Sequence, residues 1–294
     1  KQETTPETKI GYMIVVNGLQ GGHSGMDIHK GFGNANKIMN RILFDGFENY
    51  GLRITEIVGG SLRNAIPRES FAIISVYEST KDAFLKKTKK VIKDIKAEFK
   101  TVDPNLEITI TQVSNPKKVM TTISQTSLLK IIYAAHNGVY RMSNDMDGLV
   151  ETSNNIARVI VKDEMITVLC LTRSSVESSK IDLANTLKTT FELSGFKVSL
   201  SGSYPGWKPN TNSPILKVLS ETYEKLFDSK AHVVACHAGL ECGILGTNYP
   251  EMDMISFGPT IQGVHSPDER ANIKSAQKFW KFLLTILENI PLKK

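Results

Sequence analysis

The chain has 294 residues, of which 40% are hydrophobic, and carries a formal net charge of +6. That length can bury one large core or two medium ones, and the alternation of strand and helix patterns favours two. No run approaches the roughly 18 consecutive apolar residues of a membrane span and no charged-then-apolar leader opens the chain, so a membrane partner is not expected.

The first third reads as strand Tyr12 to Val16, helix Ala35 to Leu43, strand Leu52 to Val58, strand Phe71 to Tyr77, helix Asp82 to Phe99 and strand Leu106 to Val113. Alternating β-branched residues in Ile108-Thr109-Ile110-Thr111 and the turn Asp103-Pro104-Asn105 support the last strand, and Gly59-Gly60 marks a sharp break. The order β-α-β-β-α-β is that of a split β-α-β, ferredoxin-like sandwich. Most of the basic excess lies between Lys81 and Lys100. There Phe84, Val91, Ile92, Ile95 and Phe99 recur near helical spacing and leave Lys86, Lys87, Lys89, Lys90, Lys93 and Lys96 largely on other faces. A solvated outer face explains them better than an anion site, because no aromatic residues interleave with the lysines, and no nucleic-acid partner is expected.

A second, weaker pass follows: helix Ser127 to His136, strand Ile156 to Val161, strand Met165 to Leu171, helix Ile181 to Glu192 and strand Phe196 to Leu200. Two such halves could join their sheets or stack back to back. After the stretch Ser203-Tyr204-Pro205-Gly206-Trp207-Lys208-Pro209 the pattern changes, which marks a domain boundary. Helix Pro214 to Phe227, strand His232 to Ala235, a glycine-rich helix start near His237, strand Met252 to Phe257 and helix Ser275 to Ile290 complete an α/β reading. About 90 residues with so few strands make a poor independent core. The three cysteines, Cys170, Cys236 and Cys242, form no C-x-x-C pair and point to a reducing compartment. The expected localisation is cytoplasmic.

Several residues are candidates for chemistry. Gly21-Gly22-His23-Ser24-Gly25 presents an imidazole on backbone that can approach a ligand closely, although the same residues suit a tight turn with an incidental histidine. His265, in Gly263-Val264-His265-Ser266-Pro267-Asp268-Glu269, follows a strand end, where α/β sheets place ligands; a lone loop histidine is also commonly structural. His237 and Glu241 stand at i and i+4, which on a helix would suit zinc, a stabilising pair or a ligand-facing helix start. Arg173, in Leu171-Thr172-Arg173-Ser174-Ser175, offers a fork for a carboxylate, with a surface ion pair as the alternative. Asn64, in Gly59-Gly60-Ser61-Leu62-Arg63-Asn64-Ala65-Ile66-Pro67, lies on a loop bounded by glycine and proline and can aim its amide at a ligand. A serine-hydrolase triad from Ser24 fails, because Met26 stands where the nucleophile-elbow pattern needs glycine.

Taken in order, these segments resemble the Xaa-His (aminoacyl-histidine) dipeptidase branch of the M20 metallopeptidases. Asn34-Ala35-Asn36-Lys37, Glu151-Thr152-Ser153-Asn154-Asn155, Tyr204-Pro205-Gly206-Trp207 and His237-Ala238-Gly239-Leu240-Glu241-Cys242-Gly243 extend the resemblance over nearly the whole chain. It implies a catalytic α/β domain holding two zinc ions, or manganese or cobalt, with an inserted lid that often forms a homodimer. Residues 1–11 would then end one piece of the catalytic domain, 12–203 would be the lid in halves of about 12–115 and 116–203, and 204–294 would be the catalytic C-terminal part. By motif, His265 corresponds to a metal ligand and His23 to the lid histidine that stabilises the oxyanion, in its own or a partner's active site. Asn64, Arg173, Gly239 and Glu241 correspond to residues that hold the dipeptide substrate. The H-x-D segment, bridging aspartate and paired glutamates of that family would precede Lys1, so the chain is expected to be inactive alone. The other expectation is a non-catalytic dimerisation or binding module derived from such a lid.

Overall fold

The computed structural model describes residues 1–237, 241–262 and 269–290. The chain divides into two compact units, Lys1–Arg173 with Ser178–Ser201, and Ser174–Glu177 with Gly202–Lys294.

In the first unit a short strand β1 (Gln2–Thr4) precedes β2 (Lys9–Asn17), where Tyr12, Ile14 and Val16 alternate inward. Helix α1 (Ala35–Tyr50) starts where the Asn34 side chain accepts from the Asn36 and Lys37 N–H groups. It runs a further two turns beyond the sequence expectation and stops at Gly51, whose φ of 63° is left-handed. Strands β3 (Arg53–Gly59) and β4 (Ser70–Tyr77), helix α2 (Lys81–Phe99) and strand β5 (Glu107–Val113) complete the first sandwich. The spatial order β5-β2-β4-β3 is antiparallel throughout, as the ferredoxin-like reading requires.

The second half begins with β6 (Lys118–Met120), which pairs β1, and α3 (Thr122–Ala134). Strands β7 (Gly138–Met142), β8 (Val150–Lys162) and β9 (Met165–Ser174) follow, then α4 (Glu177–Leu193). The two halves join their sheets, because β3 pairs β8 through Ile57↔Val161, Val58↔Ile160 and Gly59↔Val159. The result is one seven-stranded sheet. The core is correspondingly continuous: Ile14, Ile38, Phe84, Leu128, Ile156 and Leu183 belong to a single buried cluster. Strand β8 turns into β9 through Asp163 and Glu164, both at positive φ (50° and 60°), the geometry of a two-residue hairpin.

Three expected strands need correction. Residues 196–200, 232–235 and 252–257 form no strand and join no ladder among the described residues. For the first, packing replaces pairing: Phe196 and Val198 rest against the core, and the Phe196 ring meets Phe191 edge-on at 5.9 Å. Conversely, β7 and the first residues of β8 were not expected, because their polar, irregular sequences carry no clear two-residue period.

The second unit contains α5 (Pro214–Phe227), α6 (Glu241–Asn248), the short antiparallel strands β10 (Ile261–Gln262) and β11 (Arg270–Ala271), and α7 (Ile273–Glu288). Ser213 caps α5 and donates to Asp253 Oδ2 at 2.8 Å. Tyr223, Phe227 and Phe282 pack together between α5 and α7, with Lys278 Nζ 4.3 Å from the Phe227 ring centroid. Among the described residues of this unit, Leu219 and Phe282 are the only buried large apolar side chains. Trp280, Leu284 and Leu287, spaced on one face of α7, are exposed.

Candidate active site

The loop from Gly18 to Gly33 carries His23, and its conformation follows from glycine. Gly22 has φ 125°, and a Cβ there would come within 2.8 Å of Asp27 Oδ2. That carboxylate is occupied: Asp27 Oδ2 accepts the His23 N–H at 2.7 Å, while Oδ1 pairs with Lys30 Nζ at 2.6 Å. Burial pushes the Asp27 carboxyl up, but the hydrogen bonds from Lys30 and the His23 backbone together hold it below its ordinary value.

The His23 ring is oriented by its own turn. Nδ1 accepts from the Gly25 and Met26 N–H groups at 3.2 and 3.1 Å. A ring nitrogen that accepts two N–H bonds holds no proton, so the neutral ring carries its proton on Nε2 and acts there as a donor.

The Asn64 loop docks beside it. Ser24 N donates to Asn64 O and Ile66 N to Gly22 O, each at 2.8 Å, and His23 and Ala65 form an antiparallel bridge. Arg173, at the end of β9, donates from Nε to Ser24 Oγ at 3.2 Å, across 149 positions of sequence. It is only 8% exposed, and its two terminal amino groups make no hydrogen bond among the described residues. A Cβ on Gly25 would lie 3.1 Å from His23 Cε1 and 3.5 Å from Arg173 Cδ, so both side chains close over the same backbone. His23, Asn64 and Arg173 therefore converge on Gly22 to Gly25. Ser24, 1% exposed and holding the arginine, is a structural hydroxyl and not a nucleophile.

Two residues that secure this cluster were not singled out from the sequence. Asp103 is 2% exposed and ties both ends of the His23 loop, accepting Gln20 N on Oδ1 and Gly33 N on Oδ2, each at 2.7 Å. The sequence shows it only as part of a turn. Asn155 belongs to a buried polar run, Glu151 to Asn155, whose placement inside a strand is itself the signal that could have found it.

Of the His237 and Glu241 pair, His237 is buried and Glu241 is the first described residue of α6 and is exposed; residues 238–240 between them lie outside the described residues. Gly239 and His265 lie outside the described residues. No group of three or more His, Cys, Asp or Glu side chains suited to a metal occurs among the described residues, so these do not by themselves make a metal centre. The thiol of Cys170 is pushed up to about 11 by burial, which makes it a packing residue and not a nucleophile.

Comparison with known proteins agrees with the resemblance read from the sequence. Residues 11–106 match the family model for a peptidase dimerisation domain of the M20 type. The cytosol non-specific dipeptidase of Escherichia coli K12 is 39% identical over 292 residues, covering 99% of this chain. The chain is similar to dipeptidases over nearly its whole length. The crystal structure of aminoacylhistidine dipeptidase from Vibrio alginolyticus superposes with a TM-score of 0.88 at 38% identity and covers all of this chain. The chain spans 60% of the length of each of these two relatives. No described helix is long and apolar enough to cross a membrane.

Proposed function

We propose that this chain supplies the lid, about residues 12–203, and the C-terminal catalytic part, 204–294, of a cytoplasmic metal-dependent dipeptidase cleaving Xaa-His and related dipeptides. The observation that carries the reading is the buried Arg173 fork beside His23 and Asn64. A guanidinium removed from water, with only Nε engaged among the described residues, is suited to a substrate carboxylate, which it can grip through two parallel hydrogen bonds. His23 then donates from Nε2 to the scissile carbonyl oxygen as negative charge develops on it. The Asn64 amide holds the substrate backbone, and Gly239 and Glu241 are assigned to substrate by the same resemblance.

Two divalent ions, zinc or else manganese or cobalt, would supply the activated water, with His265 as one ligand. The described residues form no such centre by themselves. The exposed face of α7 supports a second unit completed by further catalytic-domain residues. The match of residues 11–106 to a dimerisation domain supports a homodimer formed through the lid, as it also would if the protein were a non-catalytic module.

The test is hydrolysis of β-Ala-His by the whole enzyme containing this chain, with and without chelator. Cleavage abolished by chelator and restored by zinc is expected; cleavage indifferent to chelator would exclude the metal assignment, and no dipeptide cleavage would favour the module. In the same enzyme His23→Ala should lower kcat by about a hundredfold or more, the usual cost of losing an oxyanion donor, with metal content unchanged. Loss of metal instead would reassign His23.

A further inference from the structure

We propose that Asn155 is a positioning residue for the substrate loop, its buried amide clamping the two backbone carbonyls that flank Asn64. The consequence for catalysis rests on the dipeptidase reading above; the clamp itself rests on hydrogen bonds. Asn155 is fully buried, and its Nδ2 donates to Ala65 O at 2.7 Å and to Arg63 O at 3.2 Å. The assignment of the amide is unambiguous, because both neighbours are carbonyl oxygens and only the amino end can serve them.

The loop from Gly60 to Glu69 has few bonds of its own, Gly60 N to Glu69 O and Ala65 N to Leu62 O. Its carbonyls at 63 and 65 face Asn155 on β8, while the carbonyl between them, Asn64 O, faces Ser24 N. That alternation sets the peptide planes on both sides of Asn64 and so the direction in which its side chain leaves the backbone. The other end of Asn155 is anchored too. Its Oδ1 accepts from Asn34 Nδ2 at 3.4 Å, and the Asn34 side chain also caps α1 and reaches Ile156 O at 3.1 Å. Two donors on one short planar group are needed here: aspartate would set a carboxylate against two carbonyls, and serine has a single hydrogen to give. Gly60 completes the arrangement, since a Cβ there would collide with Ala157 O at 1.9 Å where the loop leaves β3 beside β8.

Asn155→Ala and Asn155→Ser in the full chain test the clamp by amide hydrogen exchange. Exchange in peptides covering 60–67 should accelerate about tenfold or more, as loss of two bonds implies, while α2 is unchanged. Unchanged exchange in that loop overturns the proposal. If the alanine variant does not fold, the serine variant, which keeps one donor, is read by the same criterion. In the whole enzyme Asn155→Ala should raise KM for β-Ala-His about tenfold with metal content intact, and should add less than about twofold in an Asn64→Ala background. Equal factors in both backgrounds would show that Asn155 does not act through Asn64. If the unmodified enzyme cleaves no dipeptide, the functional reading falls, and the exchange measurement still decides whether the clamp exists.

Discussion

Asp103→Ala should weaken the first unit and loosen the His23 loop together. The carboxylate accepts Gln20 N and Gly33 N, each at 2.7 Å, from a site only 2% exposed. A hydrogen bond to a charged group contributes about 1.5–3 kcal/mol, so losing two removes at most ~6 kcal/mol. Part of that is recovered, because Gln20 lies at the surface and water can reach its released N–H, whereas the Gly33 N–H stays buried. The turn itself survives, since Asp103 N still donates to Phe99 O and Leu106 N to Asp103 O. A net loss of about 3 kcal/mol is expected. In urea, with a slope near 2 kcal/mol per molar, the midpoint would fall by roughly 1.5 M. Asp103→Asn keeps the shape and one acceptor oxygen but turns an amino group on the second N–H, so it should cost nearly as much. A loss below about 1 kcal/mol for alanine, or a wild-type midpoint for asparagine, would refute the view that this carboxylate holds the loop.

Arg173→Ala in the whole enzyme should chiefly raise KM, by roughly 10- to 150-fold for a lost charged hydrogen bond of about 1.5–3 kcal/mol. Arg173→Lys should recover only part of this, because the fork is gone; an unchanged KM would remove the carboxylate assignment. Gly22→Ala forces a side chain to adopt φ 125° against Asp27 Oδ2, so urea unfolding should show a loss of about 1–3 kcal/mol, with wild-type stability contradicting the strained turn. The buried Lys9 ammonium, which donates to Gly51 O and lies 3.9 Å from the Tyr77 ring centroid, is lowered to about 8 by desolvation and by the Arg53 charge, against a partial opposing effect of Glu3. Between about pH 8 and 10.5 the unfolded chain then holds more protons at this site, so stability should rise with pH there relative to Lys9→Met. Nuclear magnetic resonance titration of the Lys9 side chain with a midpoint near 10.5 would remove that slope.

The elements β2 to β5, with α1 and α2 between them, were legible because each states its own period. Tyr12, Ile14 and Val16 alternate on a strand, and Phe84 and Ile95 recur on one face of a helix, whatever lies across from them. Glycine and proline at the ends of the loops marked where His23 and Asn64 would be presented. What the sequence could not show was partnership. Nothing local in Phe196 to Leu200 says that packing will take the place of a ladder, and nothing in Asp103-Pro104-Asn105 says that its carboxylate will hold a loop 70 to 83 positions away. The buried polar start of β8 reads locally as surface, yet Asn155 reaches 90 positions back to the Asn64 loop. Local patterning was enough for the α/β class, the first sandwich and the residues chemically able to form a site. That the two halves share one sheet and that His23, Asn64 and Arg173 meet follows from the folded chain alone, because periodicity is a property of neighbouring residues, whereas a hydrogen bond between distant ones exists only after the chain has brought them within reach.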